Sequence, residues 1–329
     1  MDLDLVFFGT GGSVPSARRS TACVLGRAGG DRLLFDCGEG SQRQMQRSTG
    51  LVQVDEIYLT HFHADHYLGI PGLLKTYALN ARERPLRVIG PPGLIDLFAA
   101  LRRIFGRLTF EVELVELEVG EAVRHDGYEV RSFEVEHRMR AYGYALVEDE
   151  RPGHLDPDAA ARLGVTAGPD LGRLQRGEEV EGSSGIVRPA DVMGETRAGR
   201  KIVISGDTGP CEMTRVAAHE AQLLVHDSSF ADEELARAAE TGHSTARQAA
   251  EIANEAGVRM LALVHISSRY EIGAVLEEAR EVFPGAIAPR DFDLVEIPFP
   301  ERGEPRLVER GTRPPRQVTT TKPAAADAR

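Results

Sequence analysis

Between the apolar run DEIYLT and the apolar-spaced stretch YLGIPGLLKTYAL, the chain places Thr60-His61-Phe62-His63-Ala64-Asp65-His66. Three imidazoles and a carboxylate stand at a strand end, ahead of a predicted helix, where a turn points alternate side chains into one pocket. Imidazole nitrogen and carboxylate oxygen are the donors that borderline cations such as zinc take, at roughly 2.0 to 2.2 Å. One short turn cannot enclose two cations, so the fold has to deliver further donors from distant strand ends. Four residues meet that demand. His137 ends SFEVEH, Asp207 lies in ISGDT after KIVI, His243 is read as the cap of the helix in HSTARQAA, and His265 ends MLALVH. Each follows an apolar strand or opens a helix, so a single sheet edge can gather all four.

The rest of the 329 residues reads as mixed α/β. LDLVFFG, TACVLG, RLLFDCG and DEIYLTH are short β-type runs, each closed by Gly or a polar turn. The spacing from Tyr67 to Leu79 predicts one helix and LIDLFAALRRIFG a second, amphipathic one. The strands of YEVRSFEVEH and YGYALVED follow, and later RKIVISGDTG, AQLLVHDSSF and RMLALVHIS alternate with the helices DEELARAAETG and STARQAAEIANEAG. Residues 150–200 differ in composition: rich in Gly, Pro and charge, with little periodic apolar pattern, they suit a long surface loop or a projecting excursion. Residues 311–329 are polar and free of aromatics, and are expected to form a disordered tail behind a domain spanning 1–310.

Composition narrows the function classes. A hydrophobic fraction of 42% with 27% charged residues is that of a soluble globular chain. No apolar run approaches the roughly 18 residues that cross a bilayer, so no membrane role is expected. The acidic MDLDLVFFGTGG is not a secretory leader, which points to the cytoplasm. The three cysteines, Cys23, Cys37 and Cys211, match no metal-finger or redox spacing and read as reduced and structural. A net charge of −12 argues against non-specific coating of nucleic acid through overall charge, while leaving room for a local basic groove. Gly9, Gly11 and Gly12 spell no nucleotide-binding fingerprint and are expected to form a tight turn at the site's rim. His125, His154 and His219 read as surface histidines. Arg18, Arg19, Arg43 and Arg47 read equally as facing RNA or as solvated basic faces.

The series His61-x-His63-x-Asp65-His66, His137, Asp207 and His265 resembles the ligand set of the metallo-β-lactamase superfamily. Within it the chain is similar to the ribonuclease Z family over nearly all of residues 3 to 300. The markers are FDCGEGSQRQM at 35–45, THFHADHYLGIPGLL at 60–74, ISGDT at 204–208, HST at 243–245 and HISSRY at 265–270. The resemblance implies an α/β fold, a four-layer αβ/βα sandwich with a projecting flexible arm, and an endoribonuclease that removes the 3′ trailer from precursor tRNA. It further implies two zinc ions per subunit. His61, His63 and His137 would hold one, Asp65, His66 and His265 the other, and Asp207 would bridge them. Asp65 matches the family's proton acceptor and His243 the histidine that meets the scissile phosphate or protonates the leaving oxygen. His226-Asp227-Ser228-Ser229 stands where many members have His-Glu-Ala-Thr, so the acid that orients His243 would be the shorter Asp227. In GTGGSVPSARRSTA, Ala17 and Ser20 depart from the family's Pro-Thr-Lys-x-Arg-Asn region.

The same resemblance makes 150–200 a tRNA-binding arm, with GVTAGPDLGRLQRG as its signature and Arg151, Arg162, Arg173, Arg176, Arg188, Arg197 and Arg200 available for phosphates. It also implies a homodimer in which the arm of one subunit serves the site of the other. Two other readings remain open at this point. One is a different phosphodiesterase or arylsulfatase-like hydrolase of the same fold. The other is a non-catalytic RNA-binding protein that keeps the metals for stability.

Overall fold

The computed structural model describes residues 2–166 and 168–309, so the tail expected at 311–329 lies outside the described residues. One sheet is built from β1 (Leu3–Gly9), β2 (Cys23–Ala28), β3 (Asp31–Phe35), β4 (Glu56–Tyr58), β5 (Leu86–Gly90) and β6 (Val112–Glu116). The second contains β7 (Ala122–His125), β8 (Tyr128–Glu134) and β9 (Tyr142–Glu148). After the hairpin β10 (Val180–Gly182) and β11 (Gly185–Val187), it continues with β12 (Lys201–Ile204), β13 (Leu223–Asp227), β14 (Met260–Val264) and β15 (Ala286–Ile287). The chain then returns to the first sheet with β16 (Leu294–Glu296) and β17 (Arg306–Val308). Spatial order is β17-β16-β1-β2-β3-β4-β5-β6 in one sheet and β15-β14-β13-β12-β9-β8-β7 in the other.

The strands are apolar on both faces because both faces are covered. In β1, Leu3, Leu5 and Phe7 join Tyr128, Tyr144, Ile202 and Val225 in the core between the sheets. Val6 and Phe8, pointing the other way, pack with helix residues. The outer layer there is α1 (Ser41–Ser48), the four-residue α2 (Ala64–Tyr67), α3 (Ile70–Leu79) and α4 (Leu94–Phe105), with Met45, Leu73, Tyr77 and Phe98 buried. Each fully buried Leu or Phe contributes about 1.5–3 kcal/mol of transfer free energy. The result is the expected four-layer αβ/βα sandwich.

Over residues 150–200 the chain folds rather than looping. It forms α5 (Pro157–Arg162), α6 (Pro169–Gln175), the β10–β11 hairpin and α7 (Pro189–Val192) around Ala160, Val165, Leu174, Val180, Val187 and Val192. These elements are three to seven residues long, too short for an apolar period to show among the glycines and charges. The second sheet's outer layer then completes the sandwich: α8 (Glu212–Ala217), the alanine-rich α10 (Ala246–Ala256) and α11 (Ile272–Val282), with α9 (Leu235–Thr241) preceding α10.

Three local expectations change. The helix expected from Tyr67 to Leu79 is broken between α2 and α3. There Gly69 packs against the FDCGEG turn so closely that a Cβ would lie 2.1 Å from the Gly38 carbonyl oxygen. The cap of α10 is Thr245, whose hydroxyl accepts from the Gln248 amide, and not His243. His125 is half-buried rather than on the surface, stacked on Tyr128 at 4.4 Å with Nε2 3.3 Å from Glu56. Among the described residues no helix is long and apolar enough to cross a membrane.

Candidate metal centre

The carboxyl ends of parallel strands β4, β12, β13 and β14, with the end of β3 beside them, open onto one edge of the sandwich. There the chain leaves its ladders and side chains are free to converge. The loop after β4 carries His61, His63, Asp65 and His66; Asp207 follows β12, Asp227 closes β13 and His265 follows β14. His137 comes three residues after β8, where Glu136 bridges Gly209 beside Asp207. His61, His63, His137 and Asp207 each offer a ligand atom within one small sphere, as do Asp65, His66 and His265. Asp207 joins them: its Oδ2 is 3.7 Å from His61 Nε2, 3.3 Å from His66 Nε2 and 3.2 Å from His265 Nε2. All seven residues singled out as ligands in the sequence therefore meet at one centre.

The histidines are held from behind. Thr60 Oγ1 lies 3.0 Å from His61 Nδ1, Asp36 Oδ2 lies 2.8 Å from His66 Nδ1, and Ser229 Oγ lies 2.8 Å from His265 Nδ1. His137 Nδ1 donates to the Gly242 carbonyl at 2.7 Å. In each case Nε2 is left facing the centre, the arrangement by which outer partners fix the tautomer and aim of a metal-binding imidazole. His63 is the exception, turning Nδ1 to within 2.9 Å of His61 Nε2 and 3.3 Å of His137 Nε2. His66 Nε2 is buried and faces Asp207 Oδ2 at 3.3 Å and Asp65 Oδ2 at 3.5 Å without an aligned hydrogen bond to either. A buried nitrogen whose hydrogen bond is not properly made costs free energy. A cation at this N/O donor set would satisfy it, so the residues present fit a metal.

Charge points the same way. Burial drives His61 well below the ordinary imidazole value, and burial together with His137 lowers His63, so both are neutral and carry free lone pairs. Burial opposes protonation of His66 and His265 as well, but Asp207 with Asp36, and Asp207 with Asp65, outweigh it and hold both imidazoles up. A proton thus does the work of a cation among these carboxylates, and metal binding would release it.

Beside this centre sits a second pair. Asp227 is fully buried and its Oδ2 is 2.7 Å from His243 Nδ1, so the shorter side chain does reach. Asp227 also accepts from the Thr208 amide and from the Ser229 amide and hydroxyl. Although burial disfavours the imidazolium, Asp227 raises His243 to about 9. His243 stacks on His265 at 5.2 Å and lines an open cleft with Ser13, Arg237, Thr241 and Arg269.

Sequence reasoning missed Asp36, Thr60, Ser229 and the Ser13 amide, which donates to Asp65 Oδ2 at 2.8 Å. Thr60, Ser229 and a main-chain amide are not metal-donor types, and Asp36, though a carboxylate, is turned onto His66 Nδ1 behind the centre. Backbone conformation does mark three of the site's residues: Ser13, Asp36 and His265 have φ of 62°, 58° and 60°, left-handed values that non-glycine residues adopt at some cost. The Gly-rich turn lies at the rim as expected, and Gly12 has no alternative there because a Cβ would stand 2.5 Å from His265 Nδ1. Arg19 faces no solvent groove: it is buried and donates to Thr10 and the Pro289 carbonyl.

Comparison with known proteins adds the following. A family model described as "Anti-Pycsar protein Apyc1" matches residues 3–151, and one described as "Beta-lactamase superfamily domain" matches residues 180–266. The Ribonuclease Z of Methanosarcina acetivorans is 46% identical over 303 residues, covering 90% of this chain and 99% of its own. That of Myxococcus xanthus is 48% identical over 302 residues, covering 90% and 98%. Among solved structures, human tRNase Z, short form, superposes with TM-score 0.65 at 26% identity, covering 90% of this chain and all of that one. The metallo-beta-lactamase fold protein YhfI of Bacillus subtilis shares the fold, with TM-score 0.66 at 17% identity and coverage of 90% and 100%.

Proposed function

The chain belongs to the ribonuclease Z family of metallo-β-lactamase-fold hydrolases, and from that premise we propose that it removes the 3′ trailer of precursor tRNA, leaving a tRNA 3′-hydroxyl and a trailer 5′-phosphate. The observation that carries the reading is the convergence of His61, His63, Asp65, His66, His137, Asp207 and His265 on one edge. His61, His63 and His137 would hold one zinc ion and Asp65, His66 and His265 a second, with Asp207 facing both groups of ligands. Bound there, the two cations supply Lewis-acid charge and bring the pKa of water near neutrality.

The chain's own groups do the rest. Asp65, fixed by the Ser13 amide and His265, orients the attacking water and takes its proton. His243, kept as imidazolium by Asp227, gives a proton to the departing 3′ oxygen. The reaction takes place in the cytoplasm, on a homodimer in which the 152–196 lobe of one subunit grips the precursor for the site of the other.

The deciding experiment incubates purified protein with a trailer-bearing precursor tRNA, with and without chelator, and maps the product end. A cut at or near the discriminator base or CCA that is lost with chelator is expected. Hydrolysis of a small phosphodiester with none of precursor would favour another hydrolase of this fold, and RNA binding without cleavage in excess zinc would favour a non-catalytic binder.

Three further outcomes are expected. Deleting residues 152–196 lowers kcat/KM on precursor tRNA by about tenfold or more and makes its salt dependence shallower, with hydrolysis of a small phosphodiester kept. Equal loss on both substrates would refute the grip. The lobe's four arginines all lie against exposed carboxylates, Arg173 and Arg176 on Glu178, Arg188 on Glu179 and Arg162 on Asp156. Exposed pairs of this kind are worth little, so exchange for a phosphate costs little. Arg200 contributes nothing of this kind, being buried against Glu148.

Asp227→Asn removes the charge that raises His243. The imidazolium that persists to about pH 9 in the parent is then lost earlier. The alkaline limb of the pH–rate profile is expected to move down by about one unit or more, and an unmoved limb would take the proton-donor role from His243. Gly12→Ala pushes a methyl into His265 and is expected to lower cleavage about 10²-fold through misplacement alone, as read by kcat at saturating zinc.

A further inference from the structure

The lobe's apolar cluster, Ala160, Val165, Leu174, Val180, Val187 and Val192 with its partly buried neighbours, contains no residue of either sandwich core. Packing between lobe and core therefore does not set the direction in which the lobe leaves the body. That is left to the stem, where Arg151 and Arg197 exchange backbone hydrogen bonds of 2.7 and 2.8 Å as the chain goes out and returns.

A short C-terminal turn holds both legs of this stem. The Glu301 carboxylate accepts from Arg151 Nη1 at 2.6 Å and Nη2 at 3.1 Å, and from Arg197 Nη1 at 3.1 Å. Two residues earlier, the Phe299 ring carries two guanidinium groups, Arg151 Cζ and Arg200 Cζ each 3.9 Å from its centroid. Arg200 is a fixed point. It is buried, paired twice to Glu148 at 2.8 and 2.6 Å, and donates to the Ile297 carbonyl at 2.7 Å. The linkage thus runs from the core through Glu148, Arg200, Phe299 and Arg151 to the lobe, with Glu301 tying the second leg to the first. Planar guanidinium groups stacked on a ring resist rotation as a point charge would not.

We propose that Phe299 and Glu301 form a clasp that fixes the direction of the 152–196 lobe, and that they are positioning residues for precursor RNA, distant from the cut. The clasp rests on the reading that this lobe grips the precursor. Its action is that of a tether. A lobe held in one direction presents RNA to the metal edge at high effective concentration, and a loosened lobe does not.

The test compares Phe299→Ala, Phe299→Tyr, Glu301→Gln and the 152–196 deletion in the full zinc-loaded enzyme. KM and kcat are measured on precursor tRNA and on bis(p-nitrophenyl) phosphate. Phe299→Ala and Glu301→Gln are expected to raise KM for the precursor about tenfold and about threefold, respectively. Hydrolysis of the small diester should stay within about twofold and Phe299→Tyr should restore the precursor KM. Should Phe299→Ala fail to fold, Glu301→Gln, altered at an exposed carboxylate, carries the comparison. Parallel losses on both substrates would reduce the clasp to a stability element and overturn the proposal. So would an unchanged precursor KM in both clasp variants beside a deletion that does lose precursor cleavage, which leaves the grip intact. If the deletion itself spares the precursor, the grip falls and the clasp with it.

Discussion

Asp207→Ala is expected to lower precursor cleavage by roughly 10³-fold or more, about 4 kcal/mol of transition-state stabilisation, together with the zinc content of the purified protein. Asp207 faces both groups of ligands. One carboxylate oxygen faces His61, His66 and His265 at 3.7, 3.3 and 3.2 Å, and the residue is 2% exposed. In the native cluster its own ionisation is secure: burial opposes the anion, but His265 and His66 outweigh that and hold it well below the usual carboxylate range. Without it, three buried imidazoles lose the charge that faces them, and the carboxylate between the two groups of ligands disappears. Metal analysis and melting with and without zinc separate loss of metal from loss of fold. An Asp207→Ala protein that retained both zinc ions and its rate would overturn the ligand assignment.

His243→Ala should fail differently. A proton donor to the leaving oxygen contributes about 10² to 10⁴ in rate, so cleavage is expected to fall by that much with the metal content of the protein unchanged. His243 shares a cluster of ligand atoms with Asp207, Asp227 and His265, but its Nδ1 is tied to Asp227 at 2.7 Å. The distinguishing readout is the pH profile. In the parent the alkaline limb is expected where the imidazolium that Asp227 raises to about 9 is lost. In His243→Ala that limb should vanish, whereas in Asp227→Asn it should move to lower pH. A fall in zinc content accompanying His243→Ala would make it a ligand and not a donor.

These two substitutions also show how unevenly the site could be read beforehand. Imidazoles and carboxylates at strand ends announce themselves by type, and His61, His63, Asp65 and His66 announce themselves by spacing as well. The partners that aim them do not. Asp36 reaches His66 across 30 residues, Ser229 reaches His265 across 36, and His137 finds the Gly242 carbonyl across 105. A serine hydroxyl or a main-chain carbonyl has no compositional mark. The same holds for Phe299, one of 12 phenylalanines until two guanidinium groups close on it.

The sequence by itself determined the alternation of strands and helices and the chemistry of the metal donors, because periodicity and donor type are local properties of neighbouring residues. Only the tertiary structure decided that residues 152–196 enclose an apolar core of their own, that α2 and α3 part at Gly69, and that Asp227 reaches His243. Each of these depends on a close approach between segments far apart along the chain, and that distance is set by how the layers pack.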